Sequence, residues 1–195
     1  MTKTVDFYYD YISPASYLAW TQLADICKRN NASINYKPVF LGGVLKGNAS
    51  TSPAATPAKW EWMKADFLRY AKYYGVPYQL NSHFIFNTVN AMRGAIWALS
   101  NNQIEAYNQA MFNAAWVDDK DLSDKNVLAD ILEKAGINAA EVLEIIMNQE
   151  VKTELIQATE EAVKLGIFGA PSMIINGEIY FGQDRLMWVE QALSK

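Results

Sequence analysis

A hydroxyl at the start of a helix is the first chemistry legible in this chain. Residues 5–20 read VDFYYDYISPASYLAW: a β-branched and aromatic run through Ile12, a break at Ser13-Pro14, and an apolar, helix-compatible series from Ala15 to Trp20. Pro14 suits the first position of a helix, which has no use for the N–H that proline lacks, and Ser13 is a favoured N-cap. A helix N-terminus presents unpaired N–H groups and a partial positive charge, so it can stabilise an anion such as a thiolate. Ser13 is the side chain nearest that charge. Plain capping would use the same residue in the same place, so this stretch alone leaves both readings open.

Other reactive side chains are sparse. The chain holds one Cys, Cys27, and one His, His83. No internal disulfide can form, no zinc-type ligand cluster is available, and no paired carboxylates stand at metal-binding spacing. Cys27 follows Leu23 by one helical turn and Ala19 or Trp20 by two, which predicts a packed structural thiol. The single cysteine fits a reducing compartment. The opening MTKT leads straight into strand without the apolar region of a signal peptide, and no apolar run reaches membrane-spanning length, so a cytoplasmic protein is expected. A net charge of −4, without a basic stripe interleaved with aromatics, speaks against a nucleic-acid partner. With 51% hydrophobic and 19% charged residues over 195 positions, the chain reads as one large globular domain, or one domain carrying an insertion.

The elements that must position Ser13 follow in order. Residues 32–40 (ASINYKPVF) alternate as a second strand, with Pro38 at an edge or bulge. Leu41 to Lys59, rich in Gly, Pro, Ser and Thr, predicts a long loop, of the kind that is functional or disordered. Helical periodicity covers Trp60–Tyr74, Thr88–Ser100, Gln103–Trp116, the stretch from Ser123-Asp124 to Ala135, and Asn138–Leu165, with Gly166 as a left-handed terminator. Gly169-Ala170-Pro171 then leads into Ser172–Ile175, an Asn176-Gly177 hairpin turn, Glu178–Phe181, and a closing helix over Arg185–Leu193 with Asp184 as its N-cap. The order β-α-β, helical block, α-β-β-α is that of an α/β, thioredoxin-like fold of DsbA type with an inserted all-helical domain. On this reading residues 1–50 and 150–195 form a discontinuous thioredoxin-like domain and residues 51–149 the insert. Where that fold carries its redox CxxC, this chain has Ser13-Pro14-Ala15-Ser16. Dithiol–disulfide exchange by the usual route needs an attacking and a resolving sulfur, and both are missing.

Five segments, in order, carry a resemblance: DFYYDYISPASYLAW (6–20), FLGGVLK (40–46), SPAATPAKWEWM (52–63), MRGA (92–95) and FGAPSMIINGEIYFGQDRL (168–186). Together they resemble the branch of the DsbA-related proteins that holds the kappa-class glutathione transferases and the 2-hydroxychromene-2-carboxylate isomerases. The resemblance implies glutathione as cofactor. Ser13, followed by Pro14, is similar to the family's catalytic serine, whose hydroxyl hydrogen-bonds the thiolate of glutathione. Ala170-Pro171 resembles the cis-proline loop that pairs with the tripeptide backbone. Gln183-Asp184 resembles the pair that holds the γ-glutamyl end, with Asp184 facing its ammonium, and Lys59 the lysine that meets a glutathione carboxylate. The family places Asn in the loop after the GGxxK segment. Here Ser50 stands at that site and Asn48 two residues earlier, so either Asn48 takes the role or Ser50 makes a weaker contact.

The resemblance further implies an enzyme of aromatic-compound catabolism, as a homodimer, taking glutathione and a small aromatic or electrophilic substrate. As isomerase, the ranking first choice, glutathione thiolate adds reversibly to a conjugated aromatic substrate and is released unchanged. As transferase it is consumed. A non-catalytic thioredoxin-like binding domain is the third possibility. Trp60, Trp62 and Tyr70 offer an apolar wall for a flat substrate. His83, with Phe84 and Phe86, either lines the second-substrate pocket or is a packed or loop residue.

Overall fold

The computed structural model describes residues 3–195, so Met1 and Thr2 of the MTKT start lie outside the described residues. Strand β1 (Lys3–Tyr9) is central, and its two-residue period buries both of its faces. Val5, Phe7 and Tyr9 enter the main core, while Tyr8 packs on the other side with Val39, Val44, Ala162 and Ile167. Helix α1 (Pro14–Arg29) begins as expected, with Pro14 in its first turn and the Ser13 hydroxyl accepting from the Ser16 N–H. It returns the chain to β2 (Ala32–Pro38), parallel to β1 and at the sheet edge, where Pro38 costs no ladder bond.

The last two strands are β3 (Ser172–Ile175) and β4 (Glu178–Phe181), and the sheet order is β2-β1-β3-β4. Asn176 (φ 51°) and Gly177 (φ 84°) form the tight turn between them, both in the left-handed region that such turns demand. β3 runs antiparallel to β1 with Tyr8 opposite Ser172. The C-terminal end of β1 therefore lies beside the start of β3, and the turn carrying Ser13 comes against Ala170-Pro171.

Between β2 and β3 stand α2 (Leu41–Gly47), α3 (Pro57–Tyr74), α4 (Val89–Ser100), α5 (Ile104–Trp116), α6 (Lys125–Lys134), α7 (Ala139–Ile145) and α8 (Gln149–Lys164); α9 (Leu186–Ser194) closes the chain. Three expectations change. Leu41–Lys59 is not one loop: it contains α2, a 3-10 turn at Pro53–Ala55, and the first residues of α3. Its glycines serve close packing, because a Cβ on Gly43 would stand 2.9 Å from Thr159 Cγ2 and one on Gly47 2.9 Å from Val163 Cγ2. α2 thus lies tight on α8, and this tertiary contact outweighs the poor helix propensity of glycine. Asn138–Leu165 is two helices: α7 ends at Ile145, and the Asn148 side chain starts α8 by accepting from the Glu150 N–H. Asp184 does not cap the last helix; it sits in a 3-10 turn (Gln183–Arg185) with its carboxylate 2.6 Å from Arg185 Nη1. Gly166 ends α8 at φ 89°, in agreement with the sequence.

Candidate functional site

Ser13 occupies the buried junction of β1, α1 and the β3 approach. Its Oγ donates to the Ala170 carbonyl at 2.9 Å and accepts from the Ser16 N–H at 3.1 Å. Ala170-Pro171 is a cis peptide. The hydroxyl thus stands at the N-cap of α1, where a negative charge gains both from the helix dipole and from a hydrogen-bond donor. Ser16 is fully buried as well, and its Oγ has no partner. Cys27 is packed inside α1 with its thiol pushed up to about 11 by burial, so it stays un-ionised at neutral pH and offers no nucleophile.

Beneath the turn lies a residue the sequence reading passed over. Asp10 is fully buried, and its two carboxylate oxygens accept from Thr88 Oγ1 (2.6 Å), the Ile12 N–H (3.1 Å) and the Leu41 N–H (2.7 Å). Its main-chain carbonyl accepts from the Ser13 N–H at 3.1 Å. Burial raises its carboxyl to about 6, and these donors hold it below what burial alone would give. The signal was present: an acid three residues before Ser13 in an otherwise aromatic run. Thr88 was legible only as a helix start. It does occupy the N-cap position of α4, but makes no cap bond with its side chain, which goes to Asp10 instead. Around the same turn, Tyr9 and Tyr11 both donate to Asn108 Oδ1 (2.7 and 2.6 Å), and Trp116 Nε1 donates to the Tyr11 carbonyl.

Of the remaining expected residues, Pro14 and Gln183 are buried, and Asp184, Lys59, Asn48 and Ser50 form a looser rim. Pro14 is buried behind Ser13. Gln183 is buried, and its carbonyl accepts from the Tyr74 hydroxyl at 2.6 Å, which ties the 183–185 turn to α3. The Gly182 N–H donates to the Pro171 carbonyl, which joins that turn to the Ala170-Pro171 loop. Asp184 is half-buried and paired with Arg185. Lys59 is exposed in the first turn of α3. Asn48 and Ser50, both exposed, follow α2; Asn48 spends its side-chain N–H groups on the Val44 and Ile167 carbonyls (2.9 and 3.0 Å).

A cleft of about 630 Å³ opens beside Asp184, between α1, α3 and α9, lined by Tyr70, Tyr73 and Tyr74 among others; Ser13 does not line it. Of the aromatic wall residues, Trp60 stacks on Phe84 (centroids 4.5 Å apart), Trp62 is exposed, and Tyr70 faces the cleft. His83 lies exposed on a surface loop, with Nδ1 4.0 Å from Asp121 Oδ2, and Phe86 is in the core. Among the described residues no three His, Cys, Asp or Glu side chains stand in a metal-holding arrangement, and no helix is long and apolar enough to cross a membrane.

Over residues 4–194 the chain matches the family model of the DSBA-like thioredoxin domain. It belongs to that family. It is also 34% identical to a 2-hydroxychromene-2-carboxylate isomerase of Sphingobium xenophagum over 195 residues, 99% of either chain. To glutathione S-transferase kappa 1 of Rattus norvegicus it is 28% identical, covering 94% of this chain and 88% of that one. A solved structure of a 2-hydroxychromene-2-carboxylate isomerase matches this DSBA-like fold with a TM-score of 0.88 at 28% identity, over 97% of this chain and 94% of that one. Within the DSBA-like family the chain therefore stands in the branch of these isomerases and kappa-class transferases, and it is an enzyme.

Proposed function

We propose that this DSBA-like enzyme is a glutathione-dependent isomerase of the 2-hydroxychromene-2-carboxylate type. The observation that carries the reading is the Ser13 hydroxyl at the N-cap of α1, bonded to the Ala170 carbonyl ahead of Pro171, with no cysteine in that turn. The donor set fits the tripeptide's chemistry: a cation in Lys59 for a carboxylate, an acid in Asp184 for an ammonium, and a hydroxyl at a helix start for a thiol. When bound, glutathione supplies the thiolate that adds reversibly to the conjugated substrate.

Each residue then has a physical task. Ser13 turns its donor from the Ala170 carbonyl toward the thiol sulfur, and with the α1 N–H groups it favours the charged form. Ala170, ahead of Pro171, frees its carbonyl for main-chain pairing with the tripeptide. Pro14 starts α1 without a competing N–H. Gln183 and Asp184 take the γ-glutamyl end, and Asp184 exchanges its Arg185 partner for the ammonium. Of the two loop residues, Ser50 has the free donor, because the side-chain N–H groups of Asn48 are committed to main-chain carbonyls. The half-buried and exposed aromatics of α3 supply the apolar side of the second-substrate region. A cytoplasmic homodimer, with residues 51–149 acting as an inserted domain, completes the proposal. The buried, lone Cys27 suits a reducing compartment.

The similarity to the rat kappa transferase keeps one rival, in which thiolate attack consumes glutathione. Calorimetric titration with glutathione, with thiolate followed by ultraviolet absorbance, tests the shared step. Wild type should bind and ionise the thiol, and Ser13→Ala should bind with the thiol pKa raised by about one unit, the loss of one charge-assisted hydrogen bond. Absence of binding at millimolar ligand defeats both readings. Incubation with a 2-hydroxychromene-2-carboxylate then separates them: an isomerase returns all of the glutathione, a transferase does not.

A further inference from the structure

We propose that Asp10 is a positioning residue of the glutathione site, its buried carboxylate fastening the start of α2 to the turn that presents Ser13 and to the head of α4. The inference rests on the glutathione reading above and adds to it a residue outside the ligand's reach. Asp10 does not touch the Ser13 hydroxyl, whose partners are Ala170 and Ser16. Its role is therefore in the frame and not in proton transfer.

Three backbone segments converge on this one side chain. Oδ1 accepts from Thr88 Oγ1 and the Ile12 N–H, and Oδ2 from the Leu41 N–H. Leu41 is the first residue of α2, and its N–H is one of those that a helix start leaves without an internal partner. Asn48 and Ser50 follow the other end of α2. Ile12 precedes Ser13, and the Ser13 N–H itself donates to the Asp10 carbonyl. A shift of α2 relative to the Ser13 turn would separate the two halves of the glutathione site, and Asp10 is the side chain that bonds to both.

A carboxylate is the group this task requires. It carries acceptors on both oxygens and no donor. In Asp10→Asn, the amide faces either the Leu41 N–H or the Ile12 N–H with its own N–H₂, so one main-chain donor is orphaned in either orientation. Burying a carboxylate is costly, and the ion pairs of the described residues leave Asp10 out. Departures of this kind from a stable core collect at functional sites. The ionisable groups facing it are the phenols of Tyr9 and Tyr11, both driven up by burial and neutral throughout the working range.

Two consequences follow. Asp10 supplies a negative charge and no donor three residues before Ser13, so its loss should weaken glutathione binding without reducing thiol ionisation, the opposite split from Ser13→Ala. In wild type, protonation of Asp10 turns an acceptor into a donor, so affinity should fall as the pH is lowered through about 6. Glutathione's own carboxyls and ammonium keep their charges across that interval, and its thiol, whose ionisation is followed by absorbance, titrates in wild type and Asp10→Asn alike, so the difference between the two profiles reports Asp10.

The test is calorimetric titration with glutathione between about pH 5 and pH 7.5, with thiolate absorbance, on wild type, Asp10→Asn, Thr88→Val and Thr88→Ser. Expected at neutral pH is about tenfold weaker binding by Asp10→Asn, with thiol ionisation undiminished and no step near pH 6. Thr88→Val should weaken binding less, and Thr88→Ser, which keeps the hydroxyl, should restore it. If Asp10→Asn binds as wild type does and keeps the same pH profile, the inference fails while the glutathione reading stands. If Asp10→Asn does not fold, a flat wild-type profile together with unchanged binding by Thr88→Val overturns it. Absence of binding by wild type removes the glutathione reading and this inference with it.

Discussion

The two ends of the candidate site are built in opposite ways. At the inner end, Ser13, Asp10, Thr88 and Ala170 are buried, and each makes a short hydrogen bond to a group far away in the chain. At the outer end, Lys59 and Ser50 are exposed, and Asp184 holds only its own neighbour Arg185. A buried polar network is set before any ligand arrives, because an unpaired member costs far more inside than at the surface. Exposed charges are screened and mobile, so they contribute to recognition only when a partner fixes them. On the proposed reading, the buried end sets stability and the placing of Ser13, and the exposed residues act on affinity alone.

The strongest way to break this contrast is at Asp10. Asp10→Ala leaves the Thr88, Ile12 and Leu41 donors without an acceptor, and should cost about 3 kcal/mol in urea denaturation at neutral pH. A loss below about 0.5 kcal/mol, the level of ordinary surface substitutions, would mean that the buried end is no more tightly built than the rim.

A comparable effect lies in the pH dependence. Asp10 rises from 3.8 to about 6 on folding, so the native state holds that proton more tightly than the unfolded chain. The stability it contributes is fully present below the unfolded value and is lost as the pH rises through about 6, amounting to about 3 kcal/mol. Half-buried Asp119 and Asp121, whose carboxyls are lowered by hydrogen bonds from Ser82 and Ser123, act in the opposite sense. The difference between wild type and Asp10→Asn isolates the buried group: their denaturation free energies should diverge between pH 4 and 6, and parallel curves would refute the assignment. Taken with the ligand experiment, the expected outcome is that protonation of Asp10 stabilises the fold while loosening the proposed glutathione site.

Smaller effects sharpen the picture. Ser13→Ala removes the cap on α1 and should lower stability by about 1 kcal/mol, visible as a modest fall in melting temperature. Lys59→Ala should leave the melting temperature unchanged and weaken glutathione binding only a few-fold, with the difference vanishing at high salt. A large loss of stability from Lys59→Ala would show that the rim is structural after all.

Much of the inner end is readable in the linear sequence because its signals are local. Strand-to-helix punctuation at Ser13-Pro14, and the Asn176-Gly177 turn, depend on backbone preferences within a few residues. α2 escaped for the converse reason. Gly42, Gly43 and Gly47 read as loop formers, yet Gly43 and Gly47 are small residues that let the helix lie against Thr159 and Val163, more than a hundred residues on. Asp184 was assigned as a cap on residue type alone, whereas the 3-10 turn before α9 moves that position to Arg185.

By itself, then, the sequence determined the order of most elements, the absence of redox sulfurs, the helix start that carries Ser13, and the hairpin that follows Pro171. These rest on composition, periodicity and short-range sterics. The tertiary structure alone decided that the Ser13 hydroxyl meets the Ala170 carbonyl, that Thr88 spends its hydroxyl on Asp10 and not on its own helix, and that Asp10 joins α1, α2 and α4. Such pairings depend on where β1 and β3 bring distant segments, and a buried donor takes whichever acceptor the completed core places within reach.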